Sequence, residues 1–180
     1  YTLQQAPSAR IIAFEPVPQV FAALERNLEA AGPQAVAVPL GLGAKAGEVE
    51  FDYFPGVAAL STAHSEVGER MAGGIRDLLT GSAGEAVRAV IERTGAGELA
   101  QTEGFLDTLL RVERVRARID TVSSQMAAYG VEAIDLLKID TEGAEEEVLA
   151  GIEEADWPRI RQLMVEVHLG RPKLEEIASG

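Results

Sequence analysis

The sequence predicts an α/β fold in which helices cover both faces of a mostly parallel sheet that is interrupted by a helical insertion. Short apolar runs, which are typical of strands buried on both faces, alternate along the chain with amphipathic segments of helical period. A glycine-rich stretch separates the earlier strands from the later ones. With 180 residues, of which 47% are hydrophobic, the chain has the length and apolar content of one domain.

The first predicted strand and helix lie near the start of the sequence. Residues Ile11 to Phe14 (IIAF) form a continuous apolar run, and Pro16 ends this strand. The next segment places four apolar side chains on one helical face: Val20, Phe21, Leu24 and Leu28. Gly32 stands where a glycine commonly ends a helix, and Pro33 prevents continuation.

Two more strands are predicted before the insertion. Val36 to Leu40 (VAVPL) is the first of them, and Glu48 to Tyr53 (EVEFDY) is the second because its residues alternate in polarity. Gly41 and Gly43 lie between these strands in a predicted loop.

Residues 55 to 111 interrupt the alternation of strands and helices. Seven of the 18 glycines, from Gly73 to Gly104, lie here among helical stretches such as Glu85 to Arg93 and Gly104 to Leu110. Short helices between core strands indicate an inserted lid. The alternative is a surface excursion that covers only an edge of the sheet.

The alternation resumes after the insertion. The predicted elements are, in order, a strand with one wet face at Val115 to Ile119, a helix at Thr121 to Tyr129, a buried strand at Ile134 to Ile139 and a last strand at Leu163 to Val167. A further helix is predicted to begin near Ala144, because three glutamates follow it where the helix dipole favours negative charge.

Composition excludes several classes of partner and site. The net charge of −13 repels phosphate backbones, so nucleic acid is not an expected partner, although a local cofactor site is compatible with this charge. No apolar run reaches the roughly 18 residues of a membrane span, and no charged-then-apolar leader opens the sequence, so cytoplasmic residence without a membrane partner is expected. Because cysteine is absent, disulfides and thiolate metal sites are excluded.

Four chemically useful residues stand where predicted strands end: Glu15, Gly41, Asp140 and His168. Ligands of parallel α/β sheets bind beyond the carboxyl ends of the strands, so these residues predict a site. Glu15 would accept hydrogen bonds from a ribose diol, or would serve only as a charge at a helix start. Asp140 and Glu142 flank a turn, where each carboxylate must be solvated, paired with another group or part of a functional site. The alternative to a functional role is a helix N-cap with a charge in the first turn.

Glu166 and His168 are candidates for acid–base chemistry. They are two residues apart on a strand, so their side chains share one face and the carboxylate would orient the ring. The alternative for His168 is a structural bond to a neighbouring loop. His64, in the insertion, would either reach over the site or lie exposed in a loop. No metal cage is predicted, although Asp140 with Glu166 or His168 would offer two ligands.

Three segments resemble the FkbM-type methyltransferase family, in this order: IIAFEPVPQVFAALERNL, IDLLKIDTEGAEEEVLAGI and MVEVH. The members embedded in polyketide and nonribosomal peptide synthases are the most similar, because the phrase Asp156-Trp157-Pro158 also recurs there. The resemblance covers most of the chain outside residues 65 to 110, and LLKIDTEGAE is its most specific part.

The resemblance implies the class I methyltransferase fold, which is Rossmann-like, and an O-methyltransferase that uses S-adenosylmethionine. Glu15, with Pro16, would hold the ribose hydroxyls, the Gly41-Leu42 turn would lie against adenine, and Asp140 would stand near the methionine end. The candidates for deprotonating a substrate hydroxyl are Glu142, His168 and, behind them, Glu166. The acceptor would be a small molecule or an intermediate tethered to a carrier protein, with neighbouring synthase domains as further partners.

The chain also departs from the family pattern. Family members open with a strand and a glycine-rich loop, and the sequence begins after such a loop and ends before the last strand pair, so a truncated domain is expected. A non-catalytic scaffold module is therefore one alternative, and a nicotinamide-dependent Rossmann oxidoreductase is another. Docking of an acidic carrier would need a basic face, for which the candidates are Arg111, Arg114, Arg116 and Arg118, or these form a solvated strand face.

Overall fold

A computed structural model describes residues 5–80 and 104–166. The chain divides into two compact units, one made of Tyr1–Glu50 with Val115–Gly180 and the other of Phe51–Arg114. The second unit overlaps the segment 55 to 111, for which the sequence predicts an insertion, and the role of that segment as a lid stays a prediction. The helix predicted at Glu85 to Arg93 lies outside the described residues.

The first unit begins with a parallel β-α-β element. Strand β1 (Ile11–Phe14) leads into helix α1 (Pro18–Glu29), and β2 (Ala35–Val38) then pairs with β1 in parallel, with Phe14 opposite Val38. Pro18 occupies the first turn of α1, where its missing N–H costs nothing. Gly32 adopts a left-handed φ of 85° beyond the end of α1, as its position in the sequence predicts.

The second sheet corrects one prediction. Gly41 and Leu42, expected in a loop and a turn, form the short strand β3 (Gly41–Leu42), which pairs in parallel with β5 (Glu113–Asp120). The strand order is β3-β5-β4, where β4 is Gly47–Tyr53. A segment of two residues has no periodic pattern from which a strand can be predicted. Gly41 and Leu42 form a strand because they pair with β5, which is distant in the sequence.

The last two strands close the first unit. Helix α4 (Val122–Ala128) precedes β6 (Leu137–Ile139), helix α5 (Glu145–Ala150) follows it, and β7 (Leu163–Val165) pairs with β6 in parallel. Both strands are shorter than predicted. The apolar face of this region is buried in one core, formed by Val122, Met126, Ile139, Val148 and Ile152.

The second unit has a separate core. Helix α2 (Ser65–Thr80) and the shorter α3 (Phe105–Leu109) belong to it, with one turn of 3₁₀ helix at Ala58–Leu60. Its core cluster consists of the buried residues Phe54, Leu60 and Leu110. Gly68 lets α2 approach this core closely, since a Cβ there would lie 3.2 Å from the Phe54 ring.

The α/β class predicted from the sequence is confirmed, with a different division of the strands. The described residues form sheets of two, three and two strands rather than one sheet, and each contains a parallel pair. All four residues of β1 are only partly buried, which corrects the expectation of a strand buried on both faces. In a two-stranded sheet there are few neighbours to cover each strand. Among the described residues no helix has the length and apolarity to cross a membrane.

Arg159 joins two parts of the first unit. Its guanidinium donates to the backbone carbonyls of Val131 and Glu132, each at 2.6 Å, and to the carboxylate of Asp156. A hydrogen bond from Ser123, and then the contacts with Arg159, hold the pKa of Asp156 below its ordinary value. These bonds tie the loop after α4 to the segment that precedes β7.

We expect Arg159→Ala to lower the free energy of unfolding by about 2 kcal/mol, because it leaves two carbonyls and a buried carboxylate without their charged donor. The measurement is urea denaturation at neutral pH. Arg161→Ala is the matched control, because both side chains of the Arg161–Asp135 pair are exposed and such pairs contribute less than about 1 kcal/mol. Equal losses in the two variants would contradict the assigned role of Arg159.

Candidate functional site

The first group of predicted site residues meets where β1 ends. Pro16 and Gly41 are in contact, since a Cβ built on Gly41 would lie 3.3 Å from Cβ of Pro16 and 3.1 Å from Cγ2 of Ile119. Gly41 is itself buried. A side chain at position 41 would therefore press against Pro16 and Ile119, and glycine lets the β1 end and β5 approach each other closely here.

Glu15 is fixed by its own loop. Its Oε1 accepts a hydrogen bond from the Val17 amide at 2.8 Å, and its amide donates to the carbonyl of Val38 at 3.1 Å. Burial raises the pKa of Glu15 above the ordinary 4.5, and the Val17 hydrogen bond opposes that rise. The carboxylate is thus oriented and partly desolvated, which strengthens any hydrogen bond that it accepts from a ligand.

The raised pKa gives a testable effect of pH on stability. The folded state holds the proton of Glu15 more tightly than the unfolded state does, so this group stabilises the fold below pH 4.5 and loses that contribution as pH rises through its folded pKa. Glu15→Gln removes the titration and keeps an oxygen acceptor for Val17. We expect the variant to gain stability relative to wild type as pH rises through this window, measured by urea denaturation at a series of pH values. A difference that does not change with pH would contradict the assignment.

Leu42, which is predicted to lie against adenine, also has a structural role. Its side chain is partly buried and packs against the core cluster that contains Ile139. The amide of Gly43, next along the chain, donates to the carbonyl of Asp120 at 2.9 Å. The segment expected to lie against adenine is therefore held by the core on one side and by β5 on the other.

The second group of site residues follows β6. Asp140 comes directly after Ile139, and its carboxylate forms an ion pair with Nζ of Lys138. The two residues are two apart, so their side chains share one face of the strand. The sequence pattern drew no attention to Lys138, although the alternation of Lys138 with the apolar Leu137 and Ile139 was the available signal.

The turn between β6 and α5 has an unusual backbone. Glu142 has a positive φ of 51°, the single such value among the non-glycine residues of the described ranges, and Gly143 follows at 106°. A left-handed conformation at a residue with a side chain costs about 1–3 kcal/mol and persists where the surroundings enforce it. Oε2 of Glu142 is buried, so in this conformation that oxygen is enclosed by protein rather than presented to solvent.

Glu145 helps to hold the left-handed backbone of Glu142 in place. Only 3% of this residue is exposed, and its Oε1 accepts hydrogen bonds from the Gly143 amide at 2.9 Å and from the Thr141 hydroxyl at 3.4 Å. The sequence predicts Glu145 only as one of three charges at a helix start. A threonine four residues before a glutamate, across a Glu-Gly turn, is the signal that could have found it.

Three candidates remain: Glu166, His168 and His64. Glu166 is exposed, and its amide donates to the Ile139 carbonyl at 2.9 Å, so it lies at the same edge of the sheet as Asp140. His168 lies outside the described residues. His64 belongs to the second unit, where its amide donates to the Thr62 hydroxyl at 3.0 Å and Nδ1 lies 3.9 Å from Glu66.

Residues 1–179 match the family model described as a methyltransferase FkbM domain. The chain belongs to the FkbM methyltransferase family. It is similar to the 31-O-demethyl-FK506 methyltransferase FkbM of Streptomyces tacrolimicus, with 31% identity over 90% of the chain and 57% of that protein. No solved structure shows significant similarity to the chain.

Two further relatives of this FkbM domain differ in size. The AMB antimetabolite synthetase AmbE of Pseudomonas aeruginosa is 35% identical over 93% of the chain, a match that covers 8% of the synthetase. Methyltransferase sdnD of Sordaria araneosa is 32% identical over 92% of the chain and 60% of that protein. The chain thus spans less than two thirds of each of these relatives.

Three of the four arginines predicted as a docking face have an acidic side chain within 4 Å in this FkbM domain. Arg111 pairs with Glu113, Arg114 lies 3.7 Å from Asp52, and Arg116 lies 3.9 Å from Glu50. These pairs offset part of the positive charge that docking would use. Within residues 5–80 and 104–166, no three histidine or acidic residues are grouped as ligands of a metal ion.

Proposed function

We propose that the chain is an S-adenosylmethionine-dependent O-methyltransferase domain with the class I sheet arrangement. The observation that carries the proposal is the loop after β1, where the Glu15 carboxylate is oriented by Val17 and Pro16 lies close to the buried Gly41. A carboxylate at the end of a parallel strand suits a ribose diol. These residues fit the adenosyl part of the cofactor.

The residues after β1 and those after β6 are proposed to bind different parts of the cofactor. Glu15 and Pro16 would hold the ribose, the Gly41-Leu42 backbone would face adenine, and Asp140 would bind the methionine end. The Asp140 carboxylate already pairs with an ammonium group, that of Lys138, which is the kind of group that the methionine end presents. Exchange of one ammonium for another would keep the charge of Asp140 balanced.

Methyl transfer is proposed to need a base for the proton of the substrate hydroxyl and an in-line placement of the substrate oxygen with the methyl group. Bound S-adenosylmethionine supplies a methyl group on a sulfonium, which the substrate oxygen displaces as its proton leaves. The proposed bases are His168, Glu142 and, in support, Glu166. Oε2 of Glu142 is enclosed in this conformation, so His168 is the first residue to test as the proton acceptor.

The acceptor is proposed to be a hydroxyl of a small molecule or of an intermediate tethered to a polyketide or peptide carrier. Two names among the relatives support this: one is a 31-O-demethyl-FK506 methyltransferase and one is a synthetase. Family membership favours this function over the nicotinamide oxidoreductase considered at first.

Calorimetry of the purified protein with S-adenosylmethionine tests the cofactor, with NAD as the control nucleotide. Saturable binding of S-adenosylmethionine without binding of NAD is expected. Mass spectrometry of a hydroxyacyl carrier incubated with protein and cofactor then tests the transfer, with a gain of one methyl group expected. Absence of cofactor binding would overturn the proposed enzyme and favour a scaffold module.

A further inference from the structure

We infer that Glu145 is a positioning residue: its buried carboxylate holds the Thr141–Gly143 turn in the conformation that places Asp140 and Glu142. The inference rests on the proposed function for its effect on the cofactor, whereas the hydrogen bonds that carry it stand on their own. Glu145 is not proposed to touch substrate or cofactor. It acts on the two residues that flank and form the turn.

The geometry of the contact supports this role. A single oxygen, Oε1 of Glu145, accepts from Thr141 on one side of Glu142 and from Gly143 on the other, at 3.4 and 2.9 Å. Both donors belong to the immediate neighbours of the residue with the left-handed backbone. The carboxylate therefore spans Glu142 and restrains its φ, which an unsupported glutamate would relax towards negative values.

The position of Glu145 in the fold makes the restraint rigid. Glu145 begins α5, and Val148, one turn later in the same helix, is 1% exposed in the core cluster that also holds Ile139. Because Ile139 directly precedes Asp140, the core fixes the strand end and the helix start together. The hydrogen bonds of Glu145 then restrain the Thr141–Gly143 turn between these two fixed points.

A role in positioning is separable from a role in stability alone. Glu145→Ala removes the acceptor for both donors, whereas Glu145→Gln keeps an oxygen in the same place and loses only the charge. We expect Glu145→Ala to weaken S-adenosylmethionine binding at least tenfold and to lower kcat of the folded protein by a similar factor. Glu145→Gln is expected to restore both values to within about threefold of wild type. Glu154→Ala, at an exposed site, controls for the loss of one charge.

A second pair of variants tests the backbone effect directly. In a Glu142→Gly background the left-handed conformation needs no restraint, because glycine adopts it freely. We expect Glu145→Ala to change cofactor affinity in that background by less than threefold, so the two substitutions would be strongly non-additive. Additive losses would overturn the claim that Glu145 acts through the conformation of residue 142.

Amide hydrogen exchange gives a readout that does not depend on the cofactor. The Gly143 amide is expected to exchange at least tenfold faster in Glu145→Ala than in wild type, and at nearly the wild-type rate in Glu145→Gln. Unchanged exchange in Glu145→Ala would overturn the inference whether or not the protein binds S-adenosylmethionine. Faster exchange with wild-type affinity and kcat would also overturn it. Failure of the wild type to bind the cofactor, with the expected exchange pattern, would overturn the proposed function and the cofactor effect while leaving the restraint itself supported.

Discussion

Gly151→Ala is expected to lower the free energy of unfolding by about 3 kcal/mol or more, because the added methyl group meets backbone that cannot move aside. A Cβ at Gly151 would lie 2.1 Å from the carbonyl oxygen of Gly43 and 3.3 Å from Cβ of Thr121. The backbone of Gly151 has φ −84°, which alanine adopts without strain, so the expected loss is due to the collision alone.

The collision also links the core to the proposed cofactor site. Gly43 follows the Gly41-Leu42 strand, and its amide is bonded to Asp120, so a displaced Gly43 would pull on both. We expect urea denaturation to show the loss of stability, and calorimetry at low temperature to show weaker S-adenosylmethionine binding by the protein that remains folded. Gly47→Ala is the control, since nothing lies within 4 Å of a Cβ at that position of the same unit. Similar midpoints for the two variants would show that the Gly43–Gly151 approach is not needed.

Glu15→Ala is expected to weaken S-adenosylmethionine binding by about 10-fold to 100-fold. The loss of a charged acceptor leaves the two ribose hydroxyls without partners in a partly desolvated place, which costs about 1–3 kcal/mol or more. Because the Val17 amide also loses its acceptor, some of the effect will come from reorganisation of the loop. The measurement is calorimetric titration at pH 8, well above the ordinary pKa of 4.5 for this group.

Two companion variants separate the charge from the shape at this position. Glu15→Gln keeps an acceptor for Val17 and one for a hydroxyl, so an intermediate affinity is expected. Glu25→Ala, on the exposed side of α1, removes the same charge away from the site and should leave affinity unchanged. Wild-type affinity in Glu15→Ala would remove this residue from the cofactor site and with it the main support for the proposed function.

Elements with a strong local pattern could be predicted from the sequence. The limits of β1 match the predicted strand residue for residue, because four apolar residues stand between polar ones and a proline. The alternation of arginine with apolar residues likewise marks β5, whose Ala117 is buried. Helix α4 lies within the predicted range Thr121 to Tyr129, and the structure adds that Thr121 caps it by accepting a hydrogen bond from the Ser124 amide at 3.1 Å.

Elements that depend on distant contacts were missed or misplaced. Helix α2 has 16 residues, yet the sequence does not predict it, because Gly68, Gly73 and Gly74 weaken its helical pattern of apolar residues. The structure explains Gly68, which packs against Phe54, whereas a Cβ at Gly73 or Gly74 would meet nothing within 4 Å. Strand β3 could not be predicted either, because two residues are too few to show a periodic pattern.

The sequence by itself determined the α/β class, the family and the elements with a strong local pattern, because these follow from short-range periodicity and from segments such as LLKIDTEGAE. Only the tertiary structure decided which of several similar side chains has a special role. Glu145, Glu146 and Glu147 look alike in sequence, and the winding of α5 buries the first of them against the turn. Gly151 and Gly43 are far apart along the chain, and only the packing of α5 against the β3 end makes a glycine necessary there. Burial and close approach arise from residues distant in sequence, so no local pattern contains them.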